Sequence, residues 1–413
     1  MPRSSGKFFD YTQLAYKQCL ECDPLPRDAR HISDRMTQCM DTYLGILCFP
    51  LKKIGLFQVV ENICIPALTR YCIFFCLFKE AAITPDLEPQ IYSRTLVVFH
   101  EAQKRGIPMK VFTCFGRCTK FFSIEPDGQK IIFDELPTIT LRGDDVPFSD
   151  KFILKEELKK REMPTPDGMV CTTLVEAMKV AQLIGYPLVV KPRHGSLSKH
   201  TTCGIGTEDD LRKAVKSAKM IAREFVVERC VSGDVFRVTV VDDRVIGCCL
   251  REAPNVIGDS THTIRELVAK KNTDPRRGPP QQKNITLHHI TFTPVTNEML
   301  ARRGMTLDSV PGKGEKVFLH SKVILGAGAD IHDRTDQMHP ENKKLFEDAA
   351  KIWGAPLIGF DALFQDISKS WREQECGIIE ANSKPYIDMH HVPVTGQPRN
   401  IAKLLIDYIF RVA

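Results

Sequence analysis

Residues 357–382 read LIGFDALFQDISKSWREQECGIIEAN, two apolar runs that each carry an acid. Leu357 to Phe364 and Gly377 to Asn382 have the length and apolar content of short buried strands. Glu380 and Asn382 stand two apart on the second run, so their side chains share one face. Asp361 lies within the first run. A carboxylate inside an apolar strand is costly unless it is ion-paired or bound to a cation. Two carboxylates and an amide oxygen are hard donors, suited to Mg2+ that also grips phosphate oxygens. Salt-bridged acids at strand ends are the other reading, and spacing leaves both open.

Upstream, Pro187 to Pro192 is another short buried strand, with Lys191 near its end. A lysine there needs an anionic partner such as phosphate, or it emerges into solvent. The loop that follows, Arg193 to Gly206, is rich in Ser, Thr and Gly. Its stretch Gly195 to Thr202 offers backbone N–H groups and hydroxyls that could close over phosphates. It is not a P-loop, because Lys199 is followed by His200 and no GxxxxGK precedes it. An ordinary surface loop is the alternative. Phe225 to Cys230 and Val235 to Val241 read as strands, and Arg244 to Arg251 pairs with the latter across Asp242-Asp243. That pairing puts Arg237 and Arg251 on adjacent strands. Arginine presents a planar fork of donors to phosphate, and surface salt bridges would use the same side chains.

Helix signals frame these strands. Ser149 is a fitting N-cap for a helix through Arg161. Thr173 to Glu176 and Thr263 to Glu266 are capping boxes, and Gly185 ends the first of these helices. A helix spans Glu208 to Ala222, Pro340 opens one that runs to Trp353, and Asn400 to Phe410 closes the chain as an amphipathic helix. From 86 to 148 the pattern is that of a small α/β unit. In it, a helix Ser93 to Arg105 stops at Gly106, a strand spans Met109 to Cys114, and a hairpin turns at Glu125-Pro126-Asp127-Gly128. Residues 1–85, rich in Cys and Leu, read as a helical N-terminal extension.

The 413 residues allow two or three domains. Charged residues make up 26% and hydrophobic ones 43%, the balance of a soluble globular chain. A net charge of +6 is spread along the sequence, which fits a site for polyanions such as ATP better than a nucleic-acid surface. There is no basic helix, basic tail or zinc-finger spacing. Fifteen cysteines at irregular spacings, an odd number and without a signal peptide, indicate free thiols in a reducing compartment, the cytoplasm. Cys19 and Cys22, with Cys39 and Cys48 downstream, leave a zinc site open as the lesser reading. The apolar stretch Ile54 to Phe78 is broken by Glu61 and Arg70, so we expect buried helix and no membrane span.

Taken in order, the pieces resemble the ATP-grasp part of cyanophycin synthetase. The carriers are Ser149-Asp150-Lys151, Val189-Val190-Lys191-Pro192, Val227-Glu228 with Gly233 and Arg237, Asn255-Val256-Ile257-Gly258-Asp259, Asp274-Pro275-Arg276-Arg277-Gly278, Leu307 to Pro311, His339 to Asn342, Gly359-Phe360-Asp361, Ile379 to Asn382 and Gly396 to Asn400. The resemblance implies a mixed α/β (α+β) ATP-grasp fold, with two α/β subdomains clamping ATP over residues 149–413. Ahead of it would lie the small α/β domain, 86–148, and the extension, 1–85. It implies a ligase that joins a carboxylate, from an amino acid or peptide, to an amine through an acyl phosphate, releasing ADP and phosphate. Lys151, Lys191, Ser196 and Ser198 would hold phosphates. Glu228 would face the adenine amino group, Cys230 and Val231 would form the hinge, and Asp234 would lie by the ribose. Asp361, Glu380 and Asn382 would ligate Mg2+, two ions with Mn2+ as a substitute. Arg237 and Arg251 would stabilise the transferred phosphoryl group. A homodimer is compatible with such folds, and a non-catalytic nucleotide-binding scaffold is the alternative function.

The sequence also departs from that family. Ser198 and His200 replace expected glycines, and Val235 stands where a ribose-binding acid is expected, with Asp234 beside it. Ile324 replaces an asparagine. Pro385 to His391 replaces a Pro-Gly-Phe-Arg-Met-His stretch, which puts Asp388 in a basic residue's place. Asp388 then either favours a cationic substrate group or is a surface acid paired with Arg399. The family's muramyl-type ligase domain and larger N-terminal domain do not fit in this length, so polymer synthesis is not expected.

Overall fold

A computed structural model describes residues 79–114, 116–137, 147–193, 199–280 and 282–412. Cys19, Cys22, Ser196, Ser198 and the apolar stretch 54–78 lie outside these residues.

The first unit is a four-stranded antiparallel sheet backed by one helix. Its elements are β1 (Lys79–Ala82), α1 (Ser93–Lys104), β2 (Met109–Cys114), β3 (Arg117–Ile124) and β4 (Ile131–Asp134), in the sheet order β1-β2-β3-β4. The hairpin read at Glu125 to Gly128 joins β3 to β4, with Asp127 and Gly128 both at positive φ. Gly106 follows α1 at φ 70°, the left-handed stop that a glycine adopts at least cost. The end of the stretch read as helical extension differs from that reading. Lys79–Ala82 is a strand paired antiparallel with β2, because its backbone completes the open edge of this sheet.

A second sheet follows. α2 (Lys151–Lys159) leads to β5 (Gly168–Cys171), α3 (Leu174–Ile184), β6 (Leu188–Pro192), β7 (Thr202–Ile205), α4 (Glu208–Ala218) and β8 (Phe225–Arg229). The sheet order is β5-β8-β6-β7, all antiparallel, and α3 and α4 close a core around Leu188, Val190, Phe225 and Val227. The capping box at Thr173 and Glu176 forms, and Gly185 caps α3. Three local readings shift. Asp150, not Ser149, caps α2, its carboxylate accepting from the Phe152 N–H at 2.8 Å, while Ser149 ends a preceding 3-10 turn. Part of the Arg193–Gly206 loop is the strand β7, and α4 stops four residues early.

The third sheet is the largest. β9 (Asp234–Val241) and β10 (Arg244–Glu252) form a hairpin over Asp242 and Asp243, both at positive φ. An insertion follows, made of β11 (Asn255–Ile257), α5 (Ile264–Asn272), β12 (Arg277–Gly278), β13 (Leu287–His288), α6 (Pro294–Ala301) and β14 (Lys316–Phe318). The chain returns as β15 (Asp330–Asp333), α7 (Pro340–Lys351), β16 (Leu357–Phe364), β17 (Cys376–Asn382) and α8 (Ile401–Val412). The sheet order is β15-β10-β9-β16-β17. One face carries Phe236, Val238, Val240, Phe360 and Phe364 into a core closed by α7. Residues alternate along each strand, so the other face is left for Arg237, Arg251 and Asp361.

The first unit docks on α8. Leu96, Val98 and Phe99 of α1 share a core with Ile401, Leu405 and Ile406. Arg105 donates to Asp407 at 2.6 Å, and Asn400 Nδ2 donates to Glu101 at 2.9 Å. Among the described residues no helix is long and apolar enough to cross a membrane. The eight cysteines among them are free thiols.

Candidate active site

Two of the sheets face each other across a cavity of about 310 Å3. The β5–β8 sheet supplies its cationic wall. Val189 and Glu228 are register partners on β6 and β8, and Lys191 lies two residues on from Val189, so Glu228 and Lys191 share a face. Lys191 Nζ pairs with Glu228 Oε1 at 2.7 Å, and Lys155 from α2 pairs with the other carboxylate oxygen. All three are more than nine-tenths buried. Burial disfavours the ammonium of Lys191, and Lys151 adds repulsion, which together bring it down to about 8. Burial and the charge of Lys191 push Lys155 well below its usual range. Gly168 makes room for this cluster, because a Cβ there would lie 2.5 Å from the Glu228 Cβ.

The third sheet supplies the acidic wall. Asp361 on β16 is flanked by Arg237 on β9 and Glu380 on β17, its register partners on either side. Arg237 Nε and one Nη atom donate to Asp361 at 2.5 and 3.1 Å, and Arg251 donates to both Asp361 oxygens at 3.1 and 3.0 Å. Burial alone would raise the Asp361 carboxyl, but the two guanidinium charges hold it below the usual range. A second Nη of Arg237 and the Nε of Arg251 are buried with no hydrogen-bond partner.

Lys151, Lys191, Glu228, Cys230, Val231, Arg251, Asp361 and Glu380 line this one cavity. Arg237 stands behind Asp361. Like Arg237, two more of the expected site residues that the structure describes do not line the cavity. Asp234 is exposed, since Val235 takes the inward position and neighbours on a strand face opposite ways. Asn382 turns its amide to the Gly359 carbonyl at 3.5 Å. Glu228, expected to face adenine, has both oxygens taken by lysines. Asp388 is neither exposed nor paired with Arg399. It is 1% exposed and accepts from Ser93 Oγ at 2.6 Å and Thr286 Oγ1 at 2.8 Å, while Arg399 pairs with Asp333 and Asp336.

Sequence reasoning missed Lys155 and Lys322. The first had a legible signal, because it lies four residues after Lys151 and thus on the same helical face. The second, beside Ser321 in the cavity wall, comes from an irregular segment with no local pattern. Away from the cavity, Glu252, Asp330 and His332 could hold a metal ion by distance. Lys271, Arg277 and Lys316 already pair with the two acids, which leaves little negative charge for a cation.

No family model matches the sequence. It is 32% identical over 335 residues to cyanophycin synthetase of Trichormus variabilis, covering 81% of this chain and 36% of that protein. It is 30% identical over 328 residues to the glutathione biosynthesis bifunctional protein of Clostridium perfringens, covering 76% and 41%. The crystal structure of a bifunctional glutathione synthetase from Pasteurella multocida superposes with a TM-score of 0.61 at 26% identity, over 79% of this chain and 44% of that one. The chain thus spans about two-fifths of the length of the curated relatives it matches.

Proposed function

Given that the chain belongs to the ATP-grasp proteins and is related to the ATP-grasp part of cyanophycin synthetase, we propose that it is an ATP-dependent carboxylate–amine ligase. The observation that carries this reading is the meeting of Lys151, Lys191, Arg251, Asp361 and Glu380 at one cavity. A carboxylate resists nucleophiles because it is already negative. Phosphorylation by ATP gives it a good leaving group, and an amine then displaces phosphate to form the amide. Such chemistry asks a protein for positioning and charge neutralisation rather than covalent participation.

In this reading Lys151 and Lys191 bind the nucleotide's phosphates, and the base rests against Cys230 and Val231. Arg251, which lines the cavity, would stabilise the phosphoryl group in transit, while Arg237 fixes Asp361 from behind. Asp361 and Glu380, adjacent in register on one cavity wall, fit a divalent cation, and Asn382 would join as a third donor by leaving its long contact with the Gly359 carbonyl. When bound, Mg2+ would neutralise phosphate charge. Two ions, and Mn2+ in place of Mg2+, belong to the same proposal. All four hydrogen bonds to Asp361 come from arginines, so ligation there requires Arg251 to yield part of its fork. The carboxylate would be an amino acid or peptide, and the amine a second amino compound. We place the protein in the cytoplasm, in keeping with its free thiols, and sizing chromatography would test a homodimer.

Phosphate release from ATP with pools of amino acids and dipeptides, followed by mass spectrometry of the products, tests the reading. Release that needs both a carboxylate and an amine supports it, and Glu380→Gln should abolish that release while the protein stays folded. The arginine-saturated Asp361 favours one second reading, a nucleotide-binding module without turnover. Nucleotide binding with no product from any pool would select it.

A further inference from the structure

The placement of a nucleotide proposed above, on which this inference rests, puts its sugar between the hinge at Cys230 and Val231 and the phosphate lysines. The nearby cavity wall is formed by Gly233, Val235 and Leu363. Val235 and Leu363 are register partners on β9 and β16, so their side chains lie side by side on the cavity face. Neither can exchange a hydrogen bond. Gly233 adds only backbone, pressed so closely on Phe364 that a Cβ would lie 2.7 Å from its carbonyl.

Among the described residues, the acids near this wall are engaged or turned away. Asp234 is exposed on the opposite face of β9. Glu375 accepts from Ser232 Oγ at 3.1 Å, lies 3.9 Å from Arg229, and does not line the cavity. Of the carboxylates that do line it, Glu228 is held by two lysines and Asp361 by two arginines. Glu380 is Asp361's register partner on β17.

The geometry points to a nucleotide site that does not read the sugar hydroxyls, so that 2′-deoxyribonucleotides enter about as well as ribonucleotides. A site built to hydrogen-bond a hydroxyl rejects the analogue lacking it, because the site's own polar group is then left buried and unpaired. An apolar wall has no such group to strand. Val235 is accordingly the residue that sets sugar selectivity.

Calorimetric titration of the full-length protein with ADP and with 2′-deoxy-ADP, both with Mg2+, is the test. Dissociation constants within about threefold of each other are expected, less than a hydrogen bond from a charged group is worth. ADP binding tenfold or more tighter would overturn the inference while leaving the ligase reading intact. Binding of neither would overturn both. Equal binding without phosphate release in any pool would uphold the inference and sink the ligase reading. V235E, or V235Q should the acid prevent folding, places an acceptor on the wall and should raise the preference for ADP to tenfold or more. An unchanged ratio in a folded variant means the sugar lies elsewhere, and the inference fails.

Discussion

Arg237 and Asp361 face each other as register partners on adjacent antiparallel strands, joined by hydrogen bonds of 2.5 and 3.1 Å in a setting less than one-tenth exposed. Truncating Arg237 leaves a buried carboxylate with one cation in place of two. Breaking such a pair from one side costs about 3–5 kcal/mol. Arg237→Ala should lower stability by about that much in urea denaturation, and phosphate release should fall at least 100-fold, since Asp361 loses its fixed position. A variant with unchanged stability would show the pair to be dispensable.

Lys191 gives a pH signature with two arms. Its ammonium is brought down to about 8, from an ordinary 10.5, by burial and then by Lys151. Phosphate attraction needs the charged form, so ADP affinity should fall as pH rises through 8, by up to about tenfold per unit beyond it. Stability moves the other way. Between 8 and 10.5 the folded state holds fewer protons at this lysine than the unfolded chain, so unfolding free energy contributed by this group rises with pH across that window. Lys191→Arg should flatten both trends. Titration calorimetry and denaturation at pH 7, 8 and 9 check them.

Gly168 is the spacer that lets Glu228 reach its two lysines. An alanine Cβ there would lie 2.5 Å from the Glu228 Cβ and 2.6 Å from the Val227 carbonyl. Gly168→Ala should cost about 1–3 kcal/mol through overpacking and weaken ADP binding by displacing Glu228. Normal binding in the folded variant would show that the sheet absorbs the methyl group.

Asp388, in the segment after β17, is tied to the first unit through Ser93 and to the insertion through Thr286. Burial raises its carboxyl above the usual range, against the pull of those two hydroxyls. A raised folded-state value means that the stability linked to its proton is present at low pH and lost as pH climbs through that value. Asp388→Asn keeps an acceptor and cannot ionise, so its stability should gain on the wild type's from pH 4 to pH 7. Asp388→Ala strands both hydroxyls and should cost about 1–3 kcal/mol at either pH. Parallel curves for wild type and Asn would refute the linkage.

Much of the fold can be read along the chain because its signals are local. The Thr173 and Thr263 capping boxes, the stop at Gly185, the hairpin at Asp242-Asp243 and the apolar runs around Asp361 and Glu380 all depend on residues a few positions apart, where backbone geometry and side-chain alternation act. The shared face of Glu380 and Asn382 was also within reach, since two-residue spacing on a strand assigns a face, whereas the meeting of Glu380 with Asp361 comes from the β16–β17 register. Three features were not. Whether Asp234 or Val235 looks inward depends on which face of β9 the cavity lies, and so on the seating of the second sheet opposite the third. The capture of Glu228 by Lys155 and Lys191 joins a helix to two strands up to 73 residues apart. The burial of Asp388 depends on α1, 295 residues earlier, supplying Ser93. Desolvation and pairing of charge are set by what packs around a side chain, and that surrounding exists only once distant segments have come together.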